Sequence, residues 1–134
     1  MAPVFLDSGY IIALETGDDE NHPAAARHWK PLRRRPQLVT HNLVFAEIVT
    51  FFNARGHHAK AVEVGNAILE SPGMTLLPVN EELLRRGWDF LRQHDDKSFS
   101  LADCVSFVVM RECGISKAFS FDRHFVQAGF EKLP

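Results

Sequence analysis

Four acidic residues stand where apolar segments should not want a charge. They are Asp7 in Val4-Phe5-Leu6-Asp7-Ser8-Gly9, Glu47 in Leu43-Val44-Phe45-Ala46-Glu47-Ile48-Val49, Asp103 in Ser100-Leu101-Ala102-Asp103-Cys104-Val105, and Asp122 in Ala118-Phe119-Ser120-Phe121-Asp122. A carboxylate buried beside apolar residues costs roughly several kcal/mol unless something pairs with it. Few basic residues accompany these four, so a divalent cation is the simplest partner. An oxygen-only donor set without clustered Cys or His selects hard ions, Mg²⁺ or Mn²⁺, over Zn²⁺. One or two such ions can polarise a phosphoryl oxygen, activate water and steady a leaving 3′ oxygen. Gathered without metal, the acids would repel one another by roughly 4 kcal/mol for each pair about 4 Å apart at an effective dielectric near 20. That repulsion predicts metal affinity and raised carboxyl pKa values in the metal-free protein.

Each acid also has a capping explanation. Asp7 before Ser8-Gly9 could cap a helix, Ser100-Leu101-Ala102-Asp103 has capping-box spacing, and Asp122 could cap a turn around Phe125. Glu47 could face solvent. Capping leaves unexplained why the four acids punctuate the most apolar segments of the chain.

The elements that must position them alternate short apolar runs with helical patterns. Strands are expected at Val4–Leu6, Gln37–Val39, Met74–Val79 and Lys117–Phe121. Helices are expected at Tyr10–Glu15, Ala24–Trp29, Asn42–Ala54, Ala59–Leu69, from an Asn80 cap to Gln93, at Leu101–Glu112, and as a short turn at Phe125–Ala128. This alternation implies right-handed crossovers and an α/β fold of three layers, α/β/α, around a mostly parallel sheet of four to five short strands. Ligands bind such folds beyond the carboxyl ends of the strands, where strand order reverses. Asp7 and Asp122 follow strands in this layout, and Asp103 and Glu47 lie near helix starts that can face the same edge.

Bulk properties permit this chemistry. The 134 residues are enough for one domain, spanning 1–134, with one substantial core. A net charge of −2 argues against strong non-specific nucleic-acid affinity, so any nucleic-acid partner must meet a local basic patch or the metal. The run Arg33-Arg34-Arg35 could contact phosphates, as could Arg123 and Arg85-Arg86, although a basic run past a helix end also complements the helix dipole. His41, His57 and His58 lack zinc spacing and suit surface or capping roles. Trp29, Trp88 and the eleven Phe are expected in the core. Val49, Phe51 and Phe52 exceed what one helix face buries, which suggests a subunit or partner contact. Cys104 and Cys113 read as small core hydrophobes in a reducing compartment. The start lacks a signal-peptide pattern and no window reaches the roughly 18 apolar residues of a membrane span, so a cytoplasmic location is expected.

Phe5-Leu6-Asp7-Ser8-Gly9, the isolated Glu47, Phe99-Ser100-Leu101-Ala102-Asp103-Cys104-Val105-Ser106-Phe107 and Ser120-Phe121-Asp122-Arg123-His124-Phe125 together resemble the PIN-domain nucleases, in particular the VapC-type toxins of bacterial toxin–antitoxin pairs. The Ser-Leu-x-Asp-Cys and Ser-Phe-Asp-x-x-Phe segments carry most of that specificity, and the resemblance extends over essentially the whole chain. It implies a PIN-like fold and a metal-dependent endoribonuclease with Asp7, Glu47, Asp103 and Asp122 around Mg²⁺ or Mn²⁺. Asp7 and Asp103 would be the principal ligands, with Glu47 and Asp122 completing the set or orienting water. It also implies Ser120 and Ser8 as polar supports, with Asp96 at the fringe. The implied partners are RNA, a small DNA-binding antitoxin whose tail covers the acids, and a second copy in a homodimer.

Three other readings compete. A receiver or haloacid-dehalogenase-type phosphatase also places Asp after the first strand. The receiver has paired acids earlier in the chain and the phosphatase wants Asp-x-Asp, where this chain has Asp7-Ser8-Gly9. A non-catalytic module on the same fold would be expected to have lost one of the four acids. An RNA-processing nuclease of the same family is disfavoured by the compact length.

Overall fold

The computed structural model describes residues 1–134. Five short strands, β1 (Val4–Leu6), β2 (Leu38–His41), β3 (Met74–Leu77), β4 (Lys117–Phe119) and β5 (Glu131–Leu133), form one sheet in the order β3-β2-β1-β4-β5. Every pairing is parallel. The helices are α1 (Ser8–Glu15), α2 (His22–Trp29), α3 (Asn42–Ala54), α4 (His58–Glu70), α5 (Glu81–Gln93), α6 (Leu101–Glu112) and α7 (His124–Gln127). Parallel strands need crossover connections, and here each one contains at least one helix.

Strand alternation sends neighbouring side chains to opposite faces. Val4, Leu6, Leu38 and Phe119 meet Tyr10 of α1, with Trp29 of α2 and Leu32 packed alongside. Phe5, Val39 and Ala118 belong to the larger core with Val105, Phe107 and Met110 of α6 and Phe125 of α7. That core also takes Val44, Ile48 and Phe52 of α3 and Ala61, Val64 and Ile68 of α4. The expected three-layer α/β fold is therefore present, with its sheet parallel throughout.

Several expectations need correction. The sheet gains a fifth strand at β5, and β4 stops at Phe119 instead of Phe121. The Ser120 amide still donates to Leu133 of β5, but Phe121 turns away to line the cleft described below. Pro78 ends β3 at Leu77, since it has no N–H for the ladder. Trp88 is 52% exposed on α5, whose inward face is supplied by Gly87 and Phe90. Cys113 is exposed at the end of α6, whereas Cys104 is in the core. Phe52 is buried, Phe51 and Val49 pack against the core, and the Arg55 guanidinium lies 3.8 Å from the Phe51 ring centre. Val49 and Phe51 remain partly accessible along surface hollows of α3. No helix is long and apolar enough to cross a membrane.

Candidate active site

The strand order supplies the location. From β1 the chain steps to β2 and then β3 on one side, and then crosses back to β4 and β5 on the other. The reversal falls between β1 and β4, and an open crevice forms beyond their carboxyl ends. This cleft, about 460 Å³, is lined by Asp7, Glu47, Asp103 and Asp122 together with Ser8, Ser98, Ser100, Phe121 and His124. The four acids come from four separate parts of the chain.

Asp7 directly follows β1. It has the extended backbone of a helix N-cap (φ −89°, ψ 154°), yet its side chain makes no capping bond. Its carboxylate instead accepts the Ser120 hydroxyl at 2.7 Å, across the β1–β4 seam. Ser120 Oγ in turn accepts the Asp122 amide at 2.9 Å. Asp7 is only 8% exposed, and no Lys or Arg pairs with it. Burial pushes its pKa up to about 7; the charges of Asp103 and Asp122 add to this, and the hydrogen bonds from Ser120 and Ser8 oppose it.

Glu47 projects from the second turn of α3, where His41 caps the helix by accepting the Val44 amide. Buried His41 is anchored by a 2.8 Å bond to Ser106 of α6, so the starts of α3 and α6 are tied together. The Ser8 hydroxyl donates to Glu47 Oε2 at 3.3 Å. Glu47 is exposed overall, as its solvent-facing alternative allowed, and partial desolvation of the carboxyl where it lines the cleft is the main cause of its raised pKa. Raised pKa values at Asp7 and Glu47 agree with expectation in direction, but desolvation outweighs the mutual repulsion that motivated it.

Asp103 and Asp122 do have local backbone duties. Ser100 and Asp103 form a reciprocal capping box at the start of α6, with bonds of 3.0 and 3.1 Å. Asp122 Oδ1 accepts the His124 amide at 2.9 Å. Capping and clustering coexist because one oxygen serves the backbone while the other is left over. For Glu47, Asp103 and Asp122 the second carboxylate oxygen makes no hydrogen bond within the protein.

His124 is the residue that motif reasoning missed. One ligand atom each from Asp103, Asp122 and His124 lies within 4.8 Å of the others. The signal was present in Asp122-Arg123-His124-Phe125, where spacing read His124 only as a filler between Asp122 and Phe125.

Other candidates lie elsewhere. Asp96 is exposed and pairs with Lys97 at 2.7 Å, outside the cleft. Arg33, Arg34 and Arg35 precede β2, and Arg35 lies over Trp29 beside Leu38, Gly73 and Met74, at the opposite, amino edge of the sheet. Arg85 and Arg86 are committed to Glu81 and Glu82, and Arg86 also bridges α5 to Glu112 of α6. Arg123 directly follows Asp122 in the chain and is exposed, but it does not line the cleft itself.

A divalent ion fits this donor set. Several carboxylate oxygens remain unengaged, the most buried acid lacks a basic partner, and hard cations take oxygen donors. Asp103 and Asp122 lie close enough together to share an ion, with His124 the one nitrogen beside them. Asp7 and Glu47 line the same cleft outside that tight group and would reach the ion from its far side.

Known proteins resemble the chain in both sequence and fold. The 23S rRNA-specific endonuclease VapC20 of Mycobacterium tuberculosis is 35% identical over 130 residues, covering 97% of each chain. Its crystal structure, described as that of a sarcin-ricin loop cleaving toxin, superposes with a TM-score of 0.85 over 95% of both chains. A toxin–antitoxin complex from Klebsiella pneumoniae (TM-score 0.68, 8% identity) and FitAcB from Neisseria gonorrhoeae (TM-score 0.69, 14% identity) share the fold. Each covers 98% of this chain and is itself covered to 96%. The PIN domain model matches residues 4–131, and the chain belongs to the PIN-domain family.

Proposed function

We propose that the chain, acting as one PIN unit over residues 1–134, is a Mg²⁺- or Mn²⁺-dependent endoribonuclease and the toxin of a type II toxin–antitoxin pair. Ribosomal RNA is the substrate class, by analogy with the 23S rRNA-specific relative. The observation that carries this reading is the convergence of four acids on one cleft, with Asp7 buried and unpaired by any basic side chain.

Bound there, the ion would polarise the scissile phosphoryl group and lower the pKa of an attacking water. The chain's own residues supply the rest. Asp7 and Asp103 hold the ion, and Asp122 completes the set. Ser120 fixes the rotamer of Asp7 through its 2.7 Å bond. Ser8 fixes Glu47 through Oε2, which leaves Oε1 to accept a hydrogen bond from the attacking water. Arg123 contacts a phosphate at the cleft rim, and Arg33, Arg34 and Arg35 contact more distant segments of a long RNA.

An antitoxin and a second copy of the chain are the proposed protein partners. Exposed apolar side chains, Val62 and Leu69 on α4 and Leu84 and Trp88 on α5, are available for such contacts. The test is a panel of tRNA and ribosomal RNA incubated with wild type or Asp7→Asn in Mg²⁺, Mn²⁺ or EDTA. Cleavage of ribosomal RNA by wild type alone, abolished by EDTA, is expected. Equal cleavage by a folded Asp7→Asn variant, or no cleavage anywhere, contradicts the proposal.

A further inference from the structure

His124 sits inside the cleft without belonging to the four acids. Its Nδ1 lies 3.0 Å from Asp103 Oδ2 and 3.3 Å from Asp122 Oδ1. Both neighbours are carboxylate oxygens, which accept, so Nδ1 is the atom that supplies the hydrogen they share. On the far side, Nε2 lies 3.3 Å from Ser98 Oγ. The buried Phe99 ring meets the imidazole edge-on, with centres 5.3 Å apart. Packing and both nitrogens therefore specify one orientation.

The consequence falls on Asp103. Its Oδ2 accepts both the Ser100 amide, at 3.1 Å, and the His124 ring, whereas Oδ1 accepts from neither. Asp122 is arranged alike: Oδ1 accepts the His124 amide at 2.9 Å and faces the His124 ring, and Oδ2 makes no protein hydrogen bond.

We propose that His124 is a positioning residue of the metal site, a clamp whose Nδ1–H holds Asp103 and Asp122 so that Asp103 Oδ1 and Asp122 Oδ2 face the cation. It is not a ligand itself, because Nδ1 bears the shared hydrogen and Nε2 is turned to Ser98. The inference rests on the metal-site reading of the cleft. It adds a component that the acid motifs do not contain, and it joins the segment after β4 to the first turn of α6.

The side chain can be tested apart from the backbone, since the His124 amide bond to Asp122 survives any substitution except proline. In His124→Asn the side-chain amide can stand in for Nδ1–H, and in His124→Ala nothing does. Mn²⁺ is titrated calorimetrically into metal-free wild type, His124→Ala, His124→Asn and Asp103→Asn, with thermal unfolding of each metal-free protein. Loss of a group that orients a metal ligand typically weakens binding by about 10–100-fold. His124→Ala should lose about tenfold or more at an unchanged metal-free melting temperature, and His124→Asn should return to within about threefold of wild type. Pulsed EPR of Mn²⁺ on wild-type protein labelled with ¹⁵N-histidine should show no directly bonded nitrogen, and this readout needs no variant to fold. Wild-type affinity in His124→Ala, failure of a folded His124→Asn to recover binding, or a directly bonded ¹⁵N overturns the clamp. If Asp103→Asn loses Mn²⁺ while His124→Ala keeps it, only the clamp is wrong. If wild type binds no Mn²⁺, the metal-site reading falls and the clamp falls with it.

Discussion

Asp7 carries the largest electrostatic tension in the molecule. With a folded-state pKa of about 7 against 3.8 for the free side chain, its metal-free native form holds a proton that the unfolded chain releases between those values. The folded state is the better proton binder in that window, so stability falls as pH rises from about 4 to about 7 and then levels off. At 1.36 kcal/mol per pH decade this one group is worth on the order of 4 kcal/mol. Asp7→Asn removes it. Metal-free Asp7→Asn should therefore become more stable than wild type as pH rises toward 7, measured by denaturant unfolding at several pH values. The same proton competes with a cation, since metal ligands must be deprotonated. Mn²⁺ affinity should fall as pH drops below about 7, with proton release detectable by calorimetry in buffers of different ionisation enthalpy. A pH-independent affinity between about pH 5 and 7 would show that Asp7 does not hold the ion.

At the scale of elements, the acids depend on how α5, α6 and the β1–β4 seam are fitted together. A methyl group added at Gly87 of α5 would lie 2.5 Å from Val105 Cγ2 and 3.2 and 3.3 Å from the Val105 backbone. Alanine is favoured over glycine within a helix by about 1 kcal/mol, but overpacking against backbone costs about 1–3 kcal/mol. The clash should win. Gly87→Ala is expected to destabilise by about 1–2 kcal/mol in denaturant unfolding, and to weaken Mn²⁺ binding because Val105 stands two residues from Asp103. Ser100→Ala should cost about 1 kcal/mol through the lost cap and also release one restraint on Asp103. These elements differ in how legible they were. The helices of the α3–α4 hairpin and α6 carry long apolar periodicities and clear stops, and their positions follow from the sequence. β5 carries Glu131 and Lys132 in only three residues, too short and too polar for alternation to register. His124 escaped notice because it acts through the fold: Asp103 is 21 residues away in the chain and adjacent only once β4 and α6 are packed. Trp88 misled because size alone favours burial, whereas the close approach of α5 to α6 at Gly87 sets which face turns inward.

Over the whole molecule, a net charge of −2 leaves little general attraction for RNA, so affinity must come from few cations and the metal. Arg123 is exposed and adjacent in the chain to Asp122, whereas Arg33, Arg34 and Arg35 precede β2 at the far edge of the sheet. Arg123→Ala should weaken binding of a short RNA and lower the slope of log affinity against log salt by about one. Alanine at all three of Arg33, Arg34 and Arg35 should spare the short RNA and weaken only a long one, as measured by filter binding across a salt series. Equal loss on both lengths would move the triplet into the cleft's own footprint. Both outcomes concern reach around the proposed centre, in which four acids, each with one oxygen held by the protein, line one cleft that would take a divalent ion. The most direct measurement is the anomalous difference density of a crystal soaked in Mn²⁺. A peak about 2.1 Å from oxygens of Asp7 and Asp103 is expected, with Glu47 and Asp122 in direct or water-mediated contact. An empty cleft at saturating Mn²⁺, or a peak bound only at sites away from these acids, would contradict the account.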